Sequence, residues 1–287
     1  MRTRDGRELA VGVTGPPDGR PFVMQMGTPS GLTDLPRISR SAADRGLRTI
    51  RYARPGYAGS TPQPGRTVLD AAGDVRAILD HLGHDRYVTV GWSGGGPHAL
   101  ACAAAPADGC AAVATLAGVA PFEADGLDWL AGMGPENVEE FGAAAQGPAA
   151  LTAYLAPQVH ELAAVTGGQL AEALGQLISD ADRAALTGDL AEGLAASFRR
   201  SVAAGVDGWR DDDLAFVRPW GFALDSITVP VSVWQGAQDR MVPFAHGTWL
   251  AEHIPAARVH LRPDEGHLSL FGAVDRILDD LLDIARW

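Results

Sequence analysis

A serine among small residues, an aspartate and a histidine occur here in settings that suit nucleophilic chemistry. Gly91-Trp92-Ser93-Gly94-Gly95-Gly96 follows an apolar run and precedes a helical pattern over 98–105. Such a turn lets a serine take up a strained conformation above a sheet, while the helix N-terminus offers backbone N–H groups. A dinucleotide site would use similar geometry, but the G-x-G-x-x-G spacing is missing and no acid ends a second strand at the expected distance. A serine hydroxyl needs a base, and the base needs a group to orient it. Asp239 follows the apolar run 229–234, and His267 follows the run 258–261. Both are expected beyond the carboxyl ends of parallel strands, where open α/β sheets build their sites. The other histidines fall within helices, strands or the middle of the chain. His98, close to Ser93, lies on the following helix and is expected to point away from the turn. Ser93, Asp239 and His267 are therefore the candidate nucleophile, orienting carboxylate and base for transfer of an acyl group.

The elements that must position these residues alternate. Strands are expected at 8–13, 22–26, 47–52, 87–92, 111–117, 229–234 and 258–261. Helices are expected at 68–82, 244–253 and 268–284. In the first helix, Val68, Ala71, Ala72, Val75, Ile78, Leu79 and Leu82 keep a helical period. This alternation predicts an α/β class with a mostly parallel sheet covered on both faces. Over 121–220 no strand pattern occurs, and Leu186, Leu190, Leu194, Phe198 and Val202 recur at helical spacing. The expected organisation is a core of residues 1–120 and 221–287 with a helical cap at 121–220. The cap segment holds 16 acids and 5 arginines, so nearly all of the net charge of −12 lies there.

Composition narrows the chemistry. All 23 basic residues of the 287 are arginine. A chain without lysine cannot be a P-loop NTPase, a PLP enzyme, a Schiff-base aldolase or a protein kinase. The negative charge argues against nucleic acid as a partner. No apolar run approaches the roughly 20 residues of a membrane span, and the charged N-terminus does not read as a signal peptide. Cys102 and Cys110 read as small apolar filler. No His, Cys or acid cluster has metal-ligand spacing. The expectation is a cytoplasmic protein acting on a small molecule, without metal or cofactor and without a membrane partner.

The chain resembles the α/β-hydrolase superfamily, and its capped serine hydrolases in particular. The resemblance rests on Gly27-Thr28-Pro29 after one strand, Arg54-Pro55-Gly56-Tyr57-Ala58-Gly59-Ser60 after the next, the serine turn, and the pair Asp239 and His267. It implies the α/β-hydrolase fold, Ser93 as nucleophile, His267 as general base and acid, and Asp239 as its orienting carboxylate. It also implies an oxyanion hole from the backbone N–H groups of Thr28 and Gly94. The sequence departs from the family where Met26-Gly27 replaces the usual His-Gly and Ala53 replaces a common aspartate. A serine nucleophile disfavours the related haloalkane dehalogenases and epoxide hydrolases, which need a carboxylate.

Met26, Trp92 and Trp129 are the expected substrate-pocket residues. The main reading is hydrolysis of small to medium neutral carboxylic esters through an acyl-enzyme. The alternatives are an aminopeptidase or amidase resembling proline iminopeptidases, and a non-catalytic ligand receptor on the same scaffold; perhydrolysis and carbon–carbon bond hydrolysis could use the same triad. Ten acids and no arginine lie between Glu123 and Asp182. They are expected mainly on solvated helix faces, although a field of that sign would attract an ammonium group.

Overall fold

The apolar runs become β1 (Val11–Thr14), β2 (Arg20–Gln25), β3 (Leu47–Tyr52), β4 (Tyr87–Trp92), β5 (Cys110–Leu116), β6 (Val231–Gly236) and β7 (Arg258–Arg262) in a computed structural model. The structure describes residues 1–105 and 109–287. Among these, the strands form one sheet in the order β1-β3-β2-β4-β5-β6-β7, parallel except for β1. The expected first strand is shorter at its start. Glu8 bridges to Arg2 and its N–H binds Thr61 Oγ1, so it belongs to an N-terminal turn instead.

Helices α1 (Pro36–Asp44), α2 (Asp70–Leu82) and α3 (Gly95–Ala104) intervene between the early strands. Six more lie between β5 and β6: α4 (Pro135–Gln146), α5 (Pro148–Ala164), α6 (Leu170–Ala173), α7 (Asp180–Ala185), α8 (Gly188–Ser201) and α9 (Asp207–Phe216). This is the helical insertion. Helices α10 (Phe244–His253) and α11 (Val274–Ala285) complete the chain. Strand periodicity sorts side chains to the two faces of the sheet. Phe22 and Met24 pack with Ile38 of α1 and Ile277 and Leu281 of α11, whereas Val23 packs with Val75 and Ile78 of α2. The helix expected over 268–284 is interrupted at its start by a 3₁₀ turn, Ser269–Ala273. The segment entering that turn is held from the cap: the Leu268 and Ser269 N–H groups donate to Asp182 of α7, at 2.7 and 3.0 Å.

The strand order reverses between β2 and β4. β2 leads away to β3 on one side and β4 leads to β5 on the other, so the loops leaving these neighbours diverge and open a crevice. Thr28 and Ser93 lie on those two loops.

His246 of α10 joins the start of the insertion to the core. Its Nδ1 accepts from the Ala120 N–H at 3.1 Å and its Nε2 lies 2.9 Å from the Trp129 carbonyl. That pairing requires a neutral ring with its proton on Nε2. Burial lowers its pKa to about 4, against the opposing pull of the Trp129 carbonyl. Between pH 6.5 and 4 the unfolded chain therefore binds a proton that the folded chain refuses, and stability falls as pH falls. The contribution of His246 approaches about 1.4 kcal/mol per pH unit within that window. Urea unfolding of the wild type and His246→Gln should show this slope reduced in the variant. Equal slopes would place the proton uptake elsewhere, for instance at buried His98, whose pKa is likewise lowered to about 4 by burial and then by Arg54.

Candidate active site

Ser93 occupies the turn from β4 into α3 with φ of +56°, a left-handed conformation that is rare outside glycine. Its N–H donates to Leu116 O at 2.8 Å, and its carbonyl accepts from Gly96 N–H at 2.8 Å. The turn closes this tightly because its glycines touch backbone. A Cβ at Gly91 would lie 2.2 Å from Gly95 O, and one at Gly95 would lie 2.1 Å from Gln25 O. The serine is half-buried and faces a cavity of about 160 Å³.

Asp239, in the loop after β6, is nearly fully buried. Its Oδ1 accepts from the N–H groups of Met241 and Val242 at 2.9 and 2.8 Å. Its Oδ2 accepts from His267 Nδ1 at 2.8 Å and from Gln235 Nε2 at 3.1 Å. An ionised carboxylate only accepts, so this contact puts the imidazole proton on Nδ1 and leaves a lone pair on Nε2. His267 Nε2 is buried and has no hydrogen-bond partner among the described residues. The structure thus joins Asp239 to His267 but forms no hydrogen bond from Ser93 to His267. Contacts of that kind are commonly long without substrate and tighten when it binds.

Thr28 and Gly94 face each other on the loops after β2 and β4. A Cβ at Gly94 would fall 2.6 Å from Thr28 Oγ1, and both residues line the cavity. Nothing among the described residues accepts from either backbone N–H. Both N–H groups are therefore open to a ligand in the cavity.

The three expected pocket residues are not part of the cavity lining. Met26 packs into the core with Met24 and Trp234. Trp92 packs against Phe271 with the rings tilted by 58°, and its Nε1 donates to the His267 carbonyl at 3.4 Å. Trp129 donates to Ala120 O at 2.7 Å and packs against Phe141 and His246. A buried indole N–H needs an acceptor, and Ala120 O draws this one inward.

Two features of the site escape a reading of the sequence. The first is a buried charge network behind the Thr28 loop. Asp212 of α9 accepts from Arg54 Nη2 (2.6 Å), Thr28 Oγ1 (2.7 Å) and Tyr57 OH (3.0 Å), and pairs with Arg66 at 2.7 Å. Burial alone would raise its pKa, but the Arg54 and Arg66 guanidiniums overcome that and hold the carboxyl well below the usual range. Arg54 also donates to the carbonyls of Met26 and Gly27 at 2.6 and 2.8 Å, so it fixes the loop's backbone directly. The second is Asp182, whose hydrogen bonds to residues 268 and 269 hold the segment next to His267 from the cap side. The run Asp211-Asp212-Asp213 beside apolar Leu214 and Phe216 was the available signal for the first. The Ser179-x-x-Asp182 capping box was the signal for the second. Neither signal indicates its distant partners.

Three of the ten acids expected on solvated faces, Glu136, Glu140 and Glu161, instead line the cavity. Glu136 and Glu140 lie one turn apart on α4, so a single helix face carries both inward.

Residues 20–274 match the family described as the α/β hydrolase fold. The chain is 33% identical over 229 residues to a pimeloyl-[acyl-carrier protein] methyl ester esterase of Aromatoleum aromaticum, covering 77% of this chain and 81% of that one. It is similar in structure to an α/β hydrolase fold protein from Nakamurella multipartita, with a TM-score of 0.65, 26% identity, and 99% and 98% of the two chains covered. It is also similar to an esterase from Exiguobacterium antarcticum, with a TM-score of 0.70, 19% identity, and 100% and 98% covered.

Proposed function

Because the chain belongs to the α/β-hydrolase family, we propose that it is a serine esterase cleaving small to medium carboxylic esters through an acyl-enzyme on Ser93. The observation that carries this reading is the Asp239–His267 contact, which leaves a buried imidazole lone pair on a ring 5.3 Å from that of Trp92, the residue preceding a strained, cavity-facing serine. In this reading His267 Nε2 takes the Ser93 proton as Oγ attacks the ester carbonyl. The carbonyl oxygen becomes an oxyanion held by the N–H groups of Thr28 and Gly94. His267 then gives the proton to the departing alcohol, and a water activated by the same nitrogen releases the acid. Asp239 holds the ring in the required tautomer. The cap over 121–220 supplies the other cavity wall, and the low cysteine count accords with a cytoplasmic setting. Among the described residues no helix is long and apolar enough to cross a membrane.

The test is a panel of methyl and p-nitrophenyl esters of short and medium acids, beside aminoacyl arylamides and peracid formation. Ester turnover should exceed arylamide turnover and should persist in EDTA, since the proposed nucleophile is a side chain. Ester turnover abolished by EDTA and restored by zinc, or arylamide turnover that dominates, would overturn the reading.

A further inference from the structure

The cap wall of the Ser93 cavity carries carboxyl groups with no cationic side chain beside them in the lining. Asp213 of α9 is fully buried and lines the cavity, and its carboxyl oxygens meet no hydrogen-bonding group of the described residues other than the Glu140 carboxyl, with which they can share a proton. Glu140 of α4 lies beside it and accepts from Trp209 Nε1 at 2.7 Å. One turn earlier, Glu136 Oε1 accepts from the Gln176 N–H at 3.2 Å, while its buried Oε2 has no partner. No arginine or histidine lines this cavity, and the chain contains no lysine. Orphaned buried acceptors are costly in a folded protein, so their persistence in a cavity wall points to a ligand that satisfies them.

We propose that this wall is a subsite for a protonated amine, and that the preferred substrate is a carboxylic ester bearing an ammonium group, held by Asp213 and Glu140 while Ser93 attacks its carbonyl. The proposal rests on the reading of Ser93 as an ester-cleaving nucleophile and adds a charge preference to it. An ammonium brings three N–H donors and one positive charge, which suits two converging carboxyl groups with open acceptor sites. A bare metal ion fits less well, because the described residues contain no group of three or more His, Cys, Asp or Glu able to hold one.

Negative charge on this pair is disfavoured by burial and by their closeness. Burial raises the pKa of Glu140 against the hydrogen bonds from Asp213 and Trp209. Burial, and then the charge of Glu140, raise that of Asp213 well above the usual carboxylate range. The other charged groups acting on Asp213 are Asp212, which also raises it, and Arg66, which lowers it. Two adjacent carboxyls in low dielectric cannot both ionise without a cation, so they retain a proton. An arriving ammonium stabilises both charges and releases that proton to solvent. Preference for the cationic substrate should therefore increase as pH rises, up to the point where the amine itself deprotonates.

The experiment uses the intact protein with methyl esters of α-, γ- and ε-amino acids, each paired with its N-acetylated form. For at least one chain length the free amine should raise kcat/KM tenfold or more at pH 7.5, chiefly through KM. Asp213→Asn and Glu140→Gln should each collapse that ratio toward one. If the variants do not fold, calorimetry on Ser93→Ala provides a second route. Hexylamine should bind with release of a proton, seen as an enthalpy that depends on buffer ionisation, and hexanol should bind more weakly. Cleavage of acetylated esters with no gain from a free amine at any length would overturn the subsite and leave the esterase reading standing. Failure to cleave either member of any pair would overturn the esterase reading itself. Hexylamine binding no tighter than hexanol, or without proton release, would also overturn the subsite.

Discussion

Ser93→Ala should lower kcat for ester cleavage by about 10³- to 10⁶-fold and abolish labelling by a fluorophosphonate probe. The lower figure applies if ground-state binding and the Thr28 and Gly94 N–H groups retain much of their effect, as residual rates in related triads do. Peptide mapping of the labelled wild type should find Ser93 as the single site, and labelling that survives in the variant would refute its role. The same position allows a stability measurement. Ser93 is held at φ of +56°, where a side chain costs roughly 1–2 kcal/mol relative to glycine. Ser93→Gly should thus be as inactive as Ser93→Ala yet unfold at higher urea, by about 1 kcal/mol after allowing for the greater freedom of glycine in the unfolded chain. A less stable glycine variant would mean the turn holds no such strain.

Asp212→Ala should be the most damaging change away from the reacting atoms. It removes the carboxylate that neutralises Arg54 and Arg66, both almost wholly buried, along with the acceptor for Thr28 and Tyr57. Breaking a buried ion pair from one side typically costs about 3–5 kcal/mol, a large share of the roughly 5–15 kcal/mol that holds a domain folded. Activity should fall as well in whatever fraction remains folded, because Thr28 loses its anchor beside Gly94. Urea unfolding gives the first effect and kcat at constant folded fraction gives the second. Adding Arg66→Met to Asp212→Ala should recover part of the stability by removing one orphaned guanidinium. A double variant no more stable than Asp212→Ala would show that Arg66 is not stranded by the loss.

Strands β2 to β7 and the placement of Ser93, Asp239 and His267 are legible in the sequence because they depend on local signals. Apolar runs of strand length end in glycine-rich or polar turns, and a parallel sheet then carries those turns to one edge. The inward groups of the cap are not legible, because their direction is set by packing between distant elements. Asp212 and Asp213 are consecutive, yet one enters a network of arginines and the other faces the cavity, since successive helical residues point about 100° apart. Nothing in the run Asp211-Asp212-Asp213 shows where α9 meets the Arg54 loop. Trp129 illustrates the same limit from the apolar side. Its size suggests a pocket wall, but its N–H is committed to Ala120 O, a contact that only the folded chain creates.

The hydrogen bonds from residues 268 and 269 to Asp182 bear on how the two parts of this protein can be exchanged. A helical insertion between β5 and β6 looks like a cassette that could be swapped for another to change specificity. Here the cassette contains the acceptor for two main-chain donors immediately after His267, so the core alone does not specify where that histidine sits. A transplanted insertion without an equivalent carboxylate would strand both donors, at about 1–3 kcal/mol each where they stay buried, and would loosen the imidazole along with them. Substituting the α4–α5 portion while keeping α7 leaves that tether intact, provided Asn137, which donates to the Met241 carbonyl in the loop after Asp239, is kept; residues 179–182 and Asn137 are pieces of the core by function.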